Sequence, residues 1–418
     1  MGLLAKVHRG NELLQMEPFR QPLFKKEMFF LSLFIRNITV VNANGRDEQV
    51  DVWMKDGKIA QIAPQLDIHD VEQLDGSGKF LLPGFIDMHI HGSAQMDTMD
   101  ASDEGLHTMA QSLLKEGTTS FLATTMTQSY DNIERAIENV AQFQPQPDEA
   151  EVLGIHIEGP FVSKQRAGAQ PLEYIVELDL DIWSKWQQLS GHKIKQITLA
   201  PEEPNGMAAV QSISASGVIV SIGHSDATFE QMQQAAQLGA TQGTHLYNQM
   251  RPFHHRDPGV VGGVLLLDAI KAELIVDFIH MHEGAVEMAY RLKGADGLIL
   301  ITDAMRAKGM PYGAYDLGGQ TVHVTEAGAH LSNGSLAGSI LKMDQAVRNM
   351  HHITNCPLEE LVKMSSFNAA EQLKLGNKGQ LVQGYDADAV ILDEHLKLHQ
   401  TIKAGKVLYD AMQADNCH

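Results

Sequence analysis

His89 and His91 stand one residue apart in PGFIDMHIHG, residues 83–92. In a β-strand the side chains at i and i+2 share a face. Two imidazoles side by side at a strand end are either a hydrogen-bonded pair or two ligands, because neutral imidazole is the commonest metal ligand. Further polar residues follow at the ends of other apolar runs: His156 and Glu158 in GIHIEGP, His224 in SIGHSD, His245 in GTHLYN, Asp277 and His280 in VDFIH, and Asp303 in ITDA. Two imidazoles and a carboxylate around an open coordination position make a hydrolytic metal site. A divalent ion there brings the pKa of water down to roughly 7, and a neighbouring carboxylate can take up and return the proton. His156 lies one pleat deeper than Glu158 and reads as structural, while His282 and the pair His254–His255 read as solvated loop residues. Asp303 could cap the following helix, but its strand-end position favours catalysis. Nucleophilic catalysis by Cys or Ser has little support, since neither Cys356 nor Cys417 ends a strand and no G-x-S-x-G turn occurs.

Such a constellation needs a scaffold that brings many strand ends to one place. Between residues 83 and 374 apolar strand candidates alternate with amphipathic stretches such as YDNIERAIENVAQF, ATFEQMQQAAQLG and EGAVEMAYRLKG. With FIDMHI the strands number eight: SFLATT, EVLGIHIEG, IKQITLAPE, GVIVSIGH, GATQGTHLYN, AELIVDFIH and GLILITDAM complete them. This pattern predicts an α/β fold, a (β/α)8 TIM-type barrel whose chemistry sits at the C-terminal ends of the strands. An open doubly wound sheet is the alternative, but no G-x-G-x-x-G turn follows the first strand. Short β segments with hairpin signals at Asn44-Gly45 and Asp56-Gly57 occupy residues 33–82, and similar segments fill 375–412. Both ends together predict a small β-sandwich domain. Residues 1–32 carry no clear period and read as a poorly ordered extension, with Met28 as a plausible start.

Composition narrows the classes. Of 418 residues, 44% are hydrophobic and 20% charged, ordinary for a globular enzyme. The formal net charge of −20 argues against nucleic acid or a membrane surface as partner. No apolar run reaches the roughly 20 residues of a membrane span; FFLSLFI is too short, and no small-residue cleavage site follows it. Two cysteines make no disulfide framework and fit a reducing cytoplasm.

PGFIDMHIHG, GIHIEGPF, KQRAGAQP, SIGHSDA, GTHLYNQMRPFHHRDPG, LITDAMRAKG and SLAGS follow one another along the chain. Together they resemble the amidohydrolase superfamily and, within it, the N-acetylglucosamine-6-phosphate deacetylases, from about residue 33 to 410. The resemblance implies Glu158, His224 and His245 as the main metal ligands, with His89 and His91 supplying a second ion in some members. One or two divalent ions per subunit are therefore expected, zinc foremost, with iron, cobalt or manganese as alternatives. It implies Asp303 as the general acid/base and His280 as the group that polarises the acetyl carbonyl. Asn248 and Gln249 match backbone donors to the sugar phosphate. Ala169, Gln170 and Leu336-Ala337-Gly338 fall where the family contacts the sugar. Arg256 matches an arginine lent across a homodimer. Two departures stand out: Phe278 replaces a glycine and Gln249 an alanine. RPFHHR, with Arg251 and Arg256, is a local basic island suited to a phosphate. The expected reaction is hydrolysis of the acetamide of N-acetylglucosamine 6-phosphate, in amino-sugar catabolism and cell-wall recycling. The alternatives are a cyclic amidohydrolase or deaminase, or a non-catalytic barrel acting as an assembly module.

Overall fold

The structure, a computed structural model, describes residues 32–414. The N-terminal extension expected over 1–32 lies outside these residues except for Ser32, and so does Cys417. Eight parallel strands form the barrel: β1 (Phe85–Ile90), β2 (Thr118–Thr124), β3 (Glu151–Glu158), β4 (Ile194–Leu199), β5 (Ile219–Ile222), β6 (Gln242–Gly243), β7 (Lys271–Leu274) and β8 (Leu298–Leu300). Each pairs in parallel with its neighbour from β1 through β8. Beyond the regular ladder, β8 meets β1 through Asp303 N–H to His89 O at 2.8 Å and His91 N–H to Ala304 O at 2.9 Å. The Thr302 hydroxyl adds a bond of 2.5 Å to buried Asp87. The seam that closes the barrel is thus the stretch that carries His89, His91 and Asp303.

Residues facing the helices are apolar, as a buried parallel sheet requires: Ile155, Ile157, Ile197, Val220, Ile222, Ala272, Leu274, Leu298 and Leu300 belong to one continuous core. Inside the barrel the filling is polar, with His156, Gln196, Thr198, Ser221, Gln242, Thr244 and Glu273 all buried. This departs from the branched aliphatic layers that commonly fill such barrels. Among the described residues no helix is long and apolar enough to cross a membrane.

Both chain ends, expected to form a small β-sandwich, meet in one sheet. Its eight strands run in the order Lys406–Asp410, Leu398–Lys403, Ala389–Leu392, Phe80–Pro83, Ser32–Asn42, Gly45–Lys55 and Lys58–Ala63, with Glu72–Asp75 beside the long strand at Ser32–Asn42. By hydrogen bonding this is one continuous sheet, and its inward residues Leu33, Ile35, Val40, Val52, Met54 and Ile391 pack on one another as a second core. An ion cluster, buried at Lys378 and Asp388, ties it to the barrel: Lys378 lies 2.7 Å from Asp388 and 2.8 Å from Glu151, and Lys403 reaches the same two carboxylates.

Sequence reading did not anticipate a three-stranded antiparallel insert after β8, formed by Gly313–Leu317, Gln320–Thr325 and Gly328–Leu331. Its signal is plain in retrospect: QTVHVT alternates with period two next to a Gly318-Gly319 turn. The insert packs Leu317, Val322, Val324 and Leu331 against Met126 and Met305. Gln128 and Gln320 pin it across the barrel mouth, donating to Gly318 O at 2.9 Å and Ala169 O at 2.7 Å.

Candidate active site

The C-terminal strand ends converge as the pattern predicts. Glu158 Oε1 lies 3.3 Å from His224 Nε2 and 3.2 Å from His245 Nε2, and the two nitrogens are 3.2 Å apart. On the other side of Glu158, His91 Nε2 lies 3.3 Å from Oε2 and His89 Nε2 3.5 Å from Oε1. Asp303 Oδ1 completes the ring at 3.2 Å from His91 and 3.4 Å from His89. Two ligand groups result, Glu158–His224–His245 and His89–His91–Asp303, and all six side chains are buried.

These groups suit a divalent ion. Nitrogen and oxygen ligands about 2.0–2.2 Å from a tetrahedral ion stand about 3.4 Å from one another, close to the spacings seen. His89 Nε2 is buried without a hydrogen-bond partner, and an unsatisfied buried donor or acceptor is costly. Two of the four rings are oriented through the nitrogen remote from the site, as is usual for metal-ligating histidines: His224 Nδ1 meets Arg166 O at 2.9 Å and His89 Nδ1 meets Glu273 at 3.1 Å, whereas Nδ1 of His91 and of His245 is buried without a partner.

The backbone shows what this convergence costs. His224, His245 and Asp303 have φ of 47°, 34° and 47°, in the left-handed region that side chains avoid. Strain of this kind clusters where a site over-determines the chain. The electrostatics are as tightly coupled. Burial opposes charge on His89, yet the carboxylates of Asp303, Glu158 and Glu273 outweigh it and raise the imidazole to about 9. For His91 burial is likewise outweighed, by bonds to Asp303 and Glu158, and its pKa is well above the ordinary value. Burial would raise Glu158, but the surrounding histidines, His89 first, hold it well below the usual carboxylate range.

Of the residues expected around a substrate, Ala169, Gln170, Asn248, Gln249, Leu336, Gly338 and His280 line one pocket with His91, Glu158, His224, His245 and Asp303. Met126 and Leu317 also line it and were not anticipated. His280 is held by Asp277, which accepts its Nδ1–H at 2.7 Å and its backbone N–H at 2.8 Å. Gln170 has both ends of its amide engaged: Nε2 donates to Glu158 Oε2 at 2.8 Å, and Oε1 accepts from Thr127 N–H at 2.9 Å. It therefore orients Glu158. Asn248 N–H closes a turn onto His245 O at 3.0 Å. Ala337 is buried in the insert's apolar core. Phe278 occupies a φ of 63°, a conformation that favours the glycine it replaces.

Arg256 is exposed, beside His255, and does not line the pocket of its own chain. Arg251 is committed to Asp257 Oδ2, at 2.5 and 3.0 Å, and lies 3.6 Å from Asp226. His156 sits beneath the ligands, bonded to Thr198 at 2.8 Å. Burial and the neighbouring His89 keep it well below the ordinary imidazole value.

The Amidohydrolase family profile matches residues 80–414. A protein of Lysinibacillus sphaericus named N-acetylglucosamine-6-phosphate deacetylase is 82% identical over 381 residues, 91% of this chain and 98% of that one. The chain belongs to the N-acetylglucosamine-6-phosphate deacetylases of the amidohydrolase family. Solved members of that group superpose over most of the chain. The Thermotoga maritima deacetylase is 33% identical with a TM-score of 0.82, over 90% of this chain and 100% of that one. The Mycobacterium smegmatis deacetylase, solved as a mutant in complex with N-acetyl-D-glucosamine 6-phosphate, is 26% identical with a TM-score of 0.84, over 90% of this chain and 99% of that one.

Proposed function

We propose that the barrel mouth hydrolyses the acetamide of N-acetylglucosamine 6-phosphate, giving glucosamine 6-phosphate and acetate, a step of amino-sugar breakdown. The observation that carries this is the facing pair of carboxylates: Glu158 among His224 and His245, and Asp303 beside His89 and His91, opening on one pocket. In this reading Glu158, His224 and His245 hold the main divalent ion, and His89 and His91 hold a second where two are bound. Zinc fits these ligands first, and iron, cobalt or manganese are compatible with them. When bound, the ion supplies Lewis acidity, acidifying water and polarising the acetyl carbonyl.

The protein's own groups do the rest. Asp303 accepts the proton of the attacking water and returns it to the leaving amine. His280, its Nδ1–H fixed by Asp277, stabilises the charge that develops on the carbonyl oxygen when Nε2 also carries a proton, as an imidazolium. Ala169, Gln249, Leu336 and Gly338 shape the space for the sugar, Ala337 holds the turn between the last two, and Gln170 steadies Glu158 from behind.

The phosphate needs a cation, and among the described residues no lysine or arginine lines the pocket of one chain. Arg166 and Arg251 are both held by Asp226, and Arg251 by Asp257 as well. These facts support a homodimer in which Arg256 of a second copy meets the phosphate, with the N–H of Gln249 beside it, that of Asn248 being taken by His245 O. A phosphorylated sugar does not cross membranes unaided, which supports a cytoplasmic location.

Asp303→Asn tests the reading. It should retain KM and the ion at Glu158, His224 and His245 while kcat falls at least roughly 100-fold, the scale of losing a general acid/base. A variant that loses mainly KM would make Asp303 a binding group instead.

A further inference from the structure

Glu273 lies outside every motif that marks the site, yet it touches both ligand groups. Strand alternation in β7 turns it away from Ala272 and Leu274 and into the barrel, where it is fully buried. Its Oε1 accepts from the amides of Gln196 at 2.7 Å and Gln242 at 2.6 Å. Its Oε2 accepts the backbone N–H of His245 at 3.3 Å and lies 3.1 Å from His89 Nδ1. With every other neighbour a donor, the contact to His89 is a hydrogen bond donated by Nδ1. In a neutral imidazole the other nitrogen then carries the lone pair. That nitrogen is the buried, unpartnered Nε2, which faces Glu158 and Asp303.

The second contact matters for a different reason. β6 is only two residues long, Gln242–Gly243, so the sheet ladder ends before His245. His245 has a left-handed φ of 34°. Glu273 holds the peptides on both sides of it, the side chain accepting from His245 N–H and the backbone carbonyl from Leu246 N–H at 2.9 Å.

We propose that Glu273 is a positioning residue for both cation sites, presenting His89 in its ligating tautomer and holding His245 just beyond the end of the two-residue strand β6. The inference rests on the metal reading given above. It makes the two sites share one buried carboxylate, so a change at Glu273 weakens both, the His89 group more.

Calorimetric titration of the metal-stripped full chain with Zn2+ and with Mn2+ tests this without reference to turnover. Wild type, Glu273→Gln, Gln242→Met and His89→Ala are compared, with circular dichroism confirming each fold. Gln242→Met breaks the same buried amide network but leaves the bonds to His89 and His245 in place. Glu273→Gln should weaken cation binding about 10- to 100-fold, the usual effect of losing an outer carboxylate partner of a ligand. Gln242→Met should bind like wild type, and adding Glu273→Gln to His89→Ala should leave only the smaller effect at the His245 site. Should Glu273→Gln not fold, Glu273→Asp, which keeps the charge and shortens the arm, serves the same comparison. Equal losses in Gln242→Met and Glu273→Gln would reduce the role to general packing and overturn the proposal, as would wild-type affinity in Glu273→Gln. Failure of the wild type to bind either cation would instead overturn the metal reading on which the proposal stands.

Discussion

At the scale of single residues, the site is a set of acids and imidazoles that cannot all keep ordinary protonation states. Without an ion, His89 is raised to about 9 and His91 well above its usual value, because the carboxylates around them outweigh burial. Near pH 7.5 His89 then carries a proton that ligation must displace. Cation uptake should therefore release protons, and apparent affinity should rise with pH up to about 9. Titration calorimetry in two buffers of different ionisation heat measures this; a heat independent of buffer would contradict it. Much of this layer was legible in the sequence, since period two alone sets His89 beside His91 and strand-end positions pick out Glu158, His224, His245 and Asp303. Glu273 was not legible, because one acid inside an apolar run gives no sign of facing a histidine on another strand. Nor was the use of Gln170, whose amide turns back onto Glu158 at 2.8 Å.

At the scale of elements, loops and the insert shape the pocket that the strands merely open. Gly168 has φ of 60°, and a Cβ there would stand 2.6 Å from Gln249 Cγ. Gly168→Ala should therefore displace Gln249 while leaving the ligand groups alone. The left-handed penalty for an L residue is about 1–2 kcal/mol. If the loop's placement carries that cost into binding, KM rises by roughly 5- to 30-fold at unchanged metal content. An unchanged KM would mean that Gln249 does not shape the sugar site. The barrel order was readable because eight apolar runs alternate with amphipathic helices. The insert at Gly313–Leu331 was missed because its strands are short and polar on one face, and they follow a run already counted as the last barrel strand.

At the scale of the whole molecule, the sheet from the chain ends and the barrel are joined by buried charge. Burial opposes ionisation of Glu151 and Asp388, but Lys403 and Lys378 outweigh it and lower both; Lys58 and Lys378 do the same for Asp386. Because folded-state values lie below the unfolded ones, this stabilisation is complete above about pH 4.5 and is lost as pH falls through the folded-state values. The cluster's share of the stability should thus be flat from neutrality to weak acid and fall below. Lys378→Met, which leaves buried Asp388 to Lys403 alone, should cost about 1–3 kcal/mol at pH 7 and flatten the acid limb; parallel curves for the two proteins would contradict this. No sequence pattern pairs Lys378 with Glu151, because their meeting depends on how the last strands return to the barrel. The most direct measurement is acetate release by the metal-loaded protein from N-acetylglucosamine 6-phosphate and from N-acetylglucosamine, for wild type, Arg256→Ala, and Arg256→Ala mixed with Asp303→Asn. A charge-assisted bond contributes about 1.5–3 kcal/mol. The phosphorylated sugar should therefore be preferred by at least roughly 10-fold in kcat/KM, Arg256→Ala should erase most of that preference, and the mixture should recover part of it. Equal kcat/KM for the two sugars in wild type, or no acetate from either, would contradict the account.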